Sequence, residues 1–212
     1  MRHPVRLRRS LLVVAVATLV LSIAGLPVER SLQAGPPTPS PFPIRWELDF
    51  DAGNLRLFVD PADGSTWWYF TYQITNRTER DRVWAPDLVL FTDAGEIMDA
   101  GRDVPTRVTE AIRTLLGNDL LETQSEIIGD LLRGPEHARD GLAVWPAENV
   151  SVNELSLFVG GVSGETARVL HPRTGQQYIL RKTMQRDYVI RGDAIARGDT
   201  PVETVGQRWV MR

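Results

Sequence analysis

The chain has 212 residues, 24 basic and 27 acidic side chains, no cysteine and a formal net charge of −3. The missing cysteine excludes disulfides, thiolate zinc sites and lipid attachment through a lipobox cysteine. The acidic balance argues against nucleic-acid binding and against adsorption to an anionic membrane surface, both of which need a basic face.

The first segment has the layout of a secretory leader. Arg2, Arg6, Arg8 and Arg9 precede an apolar run from Leu11 to Leu26, which is followed by Pro27 and the polar stretch to Ala34. A helix over such a run spans roughly 24 Å, short of the roughly 30 Å hydrocarbon core. The expectation is a signal peptide over 1–34 cut after Ala34. A cut after Ala24 and an uncleaved anchor are the alternatives. Arg8-Arg9 only loosely matches a twin-arginine signal. Removing 1–34 takes away five arginines and Glu29, leaving 19 basic (24 − 5) and 26 acidic (27 − 1) side chains, a net of −7. The remaining chain is long enough for one well-buried core.

Residues 35–43, Gly-Pro-Pro-Thr-Pro-Ser-Pro-Phe-Pro, read as an extended linker without backbone partners, because proline fixes φ and removes donors. A single domain over 44–212 follows. Ile44, Trp46, Leu48 and Phe50 alternate with charged residues, and Leu55, Leu57 and Val59 alternate again beyond Asp51-Ala52-Gly53-Asn54. That pattern predicts a β-hairpin turning at 51–54. The strand Thr66 to Asn76 puts Trp68, Phe70, Tyr72 and Ile74 on one face. A strand over 83–91 is interrupted near Pro86, and Ile97-Met98 makes a short return.

After Pro105 the period changes. Val108, Ile112, Leu115 and Leu116 recur at helical spacing and stop at Gly117-Asn118. Thr123-Gln124-Ser125-Glu126 reads as a capping box opening a second helix that ends at Gly134-Pro135. The helical insertion is therefore expected over about 105–133. Strands resume over 141–145, 154–160, 168–170, 177–191 and 207–212, with a hairpin tip at Arg173-Thr174-Gly175. The chain is mainly β, and this succession predicts a β-sandwich with one helical insertion.

Tyr69-Phe70-Thr71-Tyr72-Gln73-Ile74-Thr75-Asn76 and Ser156-Leu157-Phe158-Val159-Gly160-Gly161-Val162-Ser163-Gly164 resemble strands of exported bacterial immunoglobulin-like domains. The resemblance covers 66–76 and 141–191 and implies an immunoglobulin-like β-sandwich. The helical stretch departs from a minimal domain of that type. Such domains are mostly adhesive, structural or binding modules, and the fold alone selects none of these.

Candidate chemistry is sparse. His3 lies in the leader, and His137 and His171 lie in predicted loops with no metal-ligand spacing. Ser163 lacks the second glycine of a nucleophile elbow, since residue 165 is Glu. Asp49 to Asp60 echoes a calcium loop, but Gly53 stands where an oxygen ligand belongs and Asn54 where glycine is required. No acid pair is singled out for glycoside hydrolysis. The sequons at Asn76 and Asn149 are short enough to arise by chance.

Trp67 and Tyr69 lie on the face of their strand opposite Trp68, roughly 7 Å apart. They either form an exposed platform for a sugar or peptide, or they lie under the helical insertion. The sequence therefore predicts a non-enzymatic module without catalytic residues, cofactor or metal. It would be exported to the periplasm or cell exterior, where it meets an envelope protein or a glycan and no nucleic acid. Contact with the membrane would be transient, through the leader, unless the leader is retained. A carbohydrate-binding or carbohydrate-active domain and a periplasmic assembly factor working by β-augmentation are the alternatives.

Overall fold

The computed structural model describes residues 37–212; the leader, Ala24 and Ala34 lie outside the described residues. In chain order the first strands are β1 (Asp49–Val59), β2 (Thr66–Thr75), β3 (Arg82–Trp84), β4 (Asp87–Thr92) and β5 (Ile97–Asp99). The helix α1 (Thr106–Leu116) follows, then β6 (Glu122–Thr123), β7 (Gly129–Leu131) and β8 (Arg139–Pro146). β9 (Glu154–Gly160), β10 (Thr166–Leu170), β11 (Gln177–Val189) and β12 (Glu203–Met211) complete the set. The described residues are mainly β, with several sheets and one short α-helix.

One sheet has the order β1-β2-β8-β6, antiparallel except for the parallel β6–β8 contact. The second has the order β10-β11-β9-β4-β5, with β12 on the other flank of β11. β3 and β7 pair as a small third sheet. A single apolar cluster takes side chains from all three. Leu55, Trp68, Phe70, Ile74 and Trp145 come from the first sheet, Leu88, Leu90, Leu157, Val159 and Tyr188 from the second, and Trp84 and Leu131 from the third. Trp68, Phe70, Tyr72 and Ile74 are buried together, as their period-2 spacing predicts.

The opposite face of the first sheet is also dry. Phe58, Trp67, Tyr69, Leu142 and Val144 pack there against Val108 and Ile112 of α1 and Leu121 beyond it. α1 has a strong apolar stripe, and Gly117 ends it in the left-handed conformation, donating its N–H back to the last turn. β2 is covered on both faces from Trp67 to Phe70, where four successive aromatic residues are buried.

Two local expectations are corrected. Residues 49–59 form one strand, not a hairpin. β1 pairs with β2 through Ala52↔Tyr72 and then Leu55↔Phe70, so Gly53 and Asn54 together oppose Thr71. The turn-like residues make a β-bulge. A Cβ on Gly53 would lie 2.5 Å from the Thr71 carbonyl oxygen, so the close approach requires glycine.

The second predicted helix is absent, and the helical insertion ends at Leu116 instead of running to about 133. The capping-box bond does form, with the Glu126 carboxylate accepting the Thr123 N–H at 2.8 Å, but it closes a turn between β6 and β7. Gly129, at φ 154°, opens β7 three residues after Glu126, and Ile127 and Leu131 are buried while Ile128 is exposed. Pairing of β7 with β3 then offers the segment a ladder that a single isolated helical turn cannot match.

Candidate functional site

β11 has two roles along its length. From Met184 to Val189 it is flanked by β9 on one side and β12 on the other. From Gln177 to Arg181 it pairs with β10 alone, apart from the Arg181–Arg212 backbone exchange at the root. The β10–β11 hairpin therefore runs past the end of the sheet as an arm. No residue of the arm from Thr166 to Arg181 is buried. The tip is closed by the Gly175 N–H donating to the His171 carbonyl at 2.9 Å, with Gly175 at φ 68°. The His171 ring nitrogen Nδ1 accepts the N–H groups of Arg173 and Thr174 at 3.3 and 3.2 Å.

The register sets the two faces of the arm. Ala167, Val169, Tyr178 and Leu180 share one face, in phase with Lys182, Met184 and Tyr188 on the core side of β11. Arg168, Leu170, Ile179 and Arg181 share the other. Leu170 is 67% exposed, Ile179 59% and Tyr178 44%, so each face offers apolar area to the outside. The arm contains Arg168, Arg173 and Arg181 and no acid. The rest of residues 35–212 holds 16 basic (19 − 3) and 26 acidic side chains, a net of −10. A basic, apolar finger thus stands on an acidic body.

A buried ionic clasp fixes the root of the arm. Lys182, the chain's single lysine, is 1% exposed. Its ammonium donates to the Ser40 carbonyl at 2.9 Å and to Glu47 Oε2 at 3.0 Å, and lies 3.6 Å from Glu165 Oε2. It also sits 4.6 Å from the centre of the Trp209 ring, a cation–π contact. Glu165 Oε1 accepts the Ser40 N–H at 2.9 Å, while Glu165 Oε2 has no hydrogen-bond partner among the described residues and rests on the lysine charge. Backbone bonds from Leu48 N–H to Val162 O (2.8 Å) and from Gly164 N–H to Trp46 O (3.0 Å) continue the attachment. The Pro-rich segment was expected to run without backbone partners. Its described part is instead held at Ser40, because two buried charged groups there demand polar ligands.

The sequence-predicted pair is elsewhere. Trp67 is 8% exposed and Tyr69 1%, both under α1. The Trp67 indole donates to Ser65 Oγ at 2.9 Å. The pair therefore forms no exposed platform; the apolar stripe of α1 needed a partner, and these rings supply it. Burial pushes the Tyr69 phenol up, against the opposing pull of Arg56.

The weaker motifs resolve into structure. Ser163 Oγ accepts the Glu165 N–H at 3.2 Å inside a turn. Asp49, at the start of the continuous β1, pairs with Arg77 at 2.9 Å, and Asp60, just past its end, pairs with Arg107. His137 ends a short 3-10 turn. Among the described residues no group of three or more His, Asp or Glu side chains lies together as a metal site would require.

Sequence reasoning missed the clasp. The available signal was phase: Lys182 falls in register with Tyr178, Leu180, Met184 and Tyr188, a mostly apolar face whose one other charge is Arg186. Comparison with protein-family models, with curated proteins and with solved structures returns no match.

Proposed function

We propose that this chain is an exported, non-enzymatic binding or structural module of the cell envelope, built as an immunoglobulin-like β-sandwich. The sandwich reading is supported by the apolar cluster that the two larger sheets share. Export is supported by the basic, apolar and polar succession over 1–34.

The observation that carries the binding role is the arm. An extension that buries none of its own side chains adds little to the stability of the body, yet it keeps Leu170, Tyr178 and Ile179 in water. Apolar residues grouped at an exposed tip mark an interaction surface more often than a structural one.

A second reading, capture of a partner strand, draws on β12. This strand of nine residues pairs only with β11 among the described residues, so its other edge offers unpaired backbone groups. The carbohydrate alternative has lost its aromatic platform, since Trp67 and Tyr69 are buried.

Fractionation of a producing cell tests export. The expected product is a chain beginning at Gly35 in the envelope or medium, identified by intact mass. A cytoplasmic chain retaining 1–34 overturns the reading. Photo-crosslinking from position 178 then tests the arm. Crosslinks are expected from there and not from a control position on the exposed side of α1; equal yields from both remove the arm as the binding surface.

A further inference from the structure

We propose that the β10–β11 arm seats on an anionic lipid bilayer, with Arg168 and Arg173 at the headgroups and Leu170, Tyr178 and Ile179 in the interfacial layer. The proposal rests on the export reading, which brings the chain to a membrane.

The net charge of the domain argues the other way, and charge segregation answers it. The negative charge belongs to the body, and the arm carries three arginines with no acid from Thr166 to Arg181. The ladder between the Thr166–Arg181 and Leu170–Gln177 pairs spans four residue steps, about 14 Å, before the tip loop begins. Exposed charges farther apart than about 8 Å at physiological salt are largely screened. Arg173 at the tip and Arg168 within the ladder therefore meet the lipid charge before the body's carboxylates do.

The composition of the arm suits an interface and no simpler alternative. An arm meant only for water would carry polar side chains at 170 and 179. An arm meant for an apolar groove would not carry an arginine directly opposite Ile179, next to Leu170 on the same face. Alternating aliphatic and guanidinium groups, with a tyrosine on the second face, match a layer that is apolar below and anionic above. The chain itself gives the placement. Ser40 is held at the arm's root by Lys182 and Glu165, so the segment that leads upstream to the apolar run leaves the domain beside the arm. Ser40 lies fourteen residue steps (40 − 26) from Leu26, at most about 50 Å of extended chain. A retained leader would hold the arm within reach of the bilayer, and a cleaved one would release the domain near it.

The test uses residues 35–212, which contain every described strand and both apolar clusters, and vesicles of phosphatidylcholine with or without 30% phosphatidylglycerol. Co-flotation with the anionic vesicles only is expected. Arg168→Gln/Arg173→Gln should weaken it about 30-fold, from about fivefold per arginine near such a surface. Tyr178→Trp should show a blue-shifted emission on the anionic vesicles. Both variants replace exposed side chains, and an unchanged melting temperature checks the fold. Flotation that is absent, equal on neutral vesicles, or indifferent to the double variant overturns the proposal. Self-association that the double variant abolishes, without flotation, assigns the arm to a second copy of the chain. Neither result touches export, which the mass and fractionation experiment decides separately.

Discussion

Lys182→Met is the sharpest probe of the clasp. At an effective dielectric of about 20, an ammonium 3.6 Å from a carboxylate gains roughly 4.6 kcal/mol of Coulomb energy. Desolvation of both groups offsets most of that gain in the intact pair. Removing the lysine alone is different, because Glu165 stays buried with Oε2 unpartnered and Glu47 loses its 3.0 Å contact. Breaking a buried pair this way costs about 3–5 kcal/mol, with Glu165 contributing more than the better-solvated Glu47. For a domain of this size the melting temperature should drop by roughly 10 °C. Methionine keeps the packing against Trp209, so the loss isolates the charge. Adding Glu165→Gln should return at least about 2 kcal/mol, since the amide oxygen still accepts the Ser40 N–H while the stranded charge disappears. Chemical denaturation of the wild type, both single variants and the double variant completes the cycle. A single-variant loss under about 1 kcal/mol, or a double variant no more stable than Lys182→Met, refutes the ionic account of the clasp.

Trp67→Ala should destabilise the fold by about 3 kcal/mol, because the ring is buried under α1; an unchanged melting temperature would return it to the surface. Gly53→Val should cost about 2 kcal/mol or shift the β1–β2 register, given the 2.5 Å approach of its Cβ to Thr71 O, and a loss under 0.5 kcal/mol would deny the tight bulge. Burial raises the phenols of Tyr69, Tyr72 and Tyr188. The unfolded chain releases those protons above about pH 10 while the folded one holds them, so stability is complete below that pH and falls as pH rises. Absorbance of tyrosinate should appear together with loss of circular dichroism; ionisation of all the tyrosines in a native fold would contradict this.

Alternation carried most of the strands. β2, β9 and β11 stand where period-2 patterns put them, and α1 where Val108 and Ile112 recur. The failures share a cause, which is that a local signal admits two geometries. Asp51 to Asn54 has turn composition, but a bulge uses the same residues, and only the β2 register decides between them. Thr123 to Glu126 forms its capping bond without a helix, because Ile127 and Leu131 are drawn into the core shared by the sheets. Trp67 and Tyr69 admit a solvent platform or burial under the helical insertion, and the partner that buries them lies some forty residues downstream. The arm was legible as a hairpin, but its exposure was not. Leu170 and Ile179 have core-like composition, but they lie on the part of the hairpin beyond the pairing of β11 with both β9 and β12.

The solitary side-chain amine has a practical use. An acylating reagent at neutral pH will find the α-amino group and little else, because Lys182 is enclosed by Ser40, Glu47, Glu165 and Trp209. A dye or affinity handle can thus be placed at the chain's start without mutagenesis. Modification at residue 182, followed over hours by peptide mass, then clocks how often the clasp opens in the folded protein.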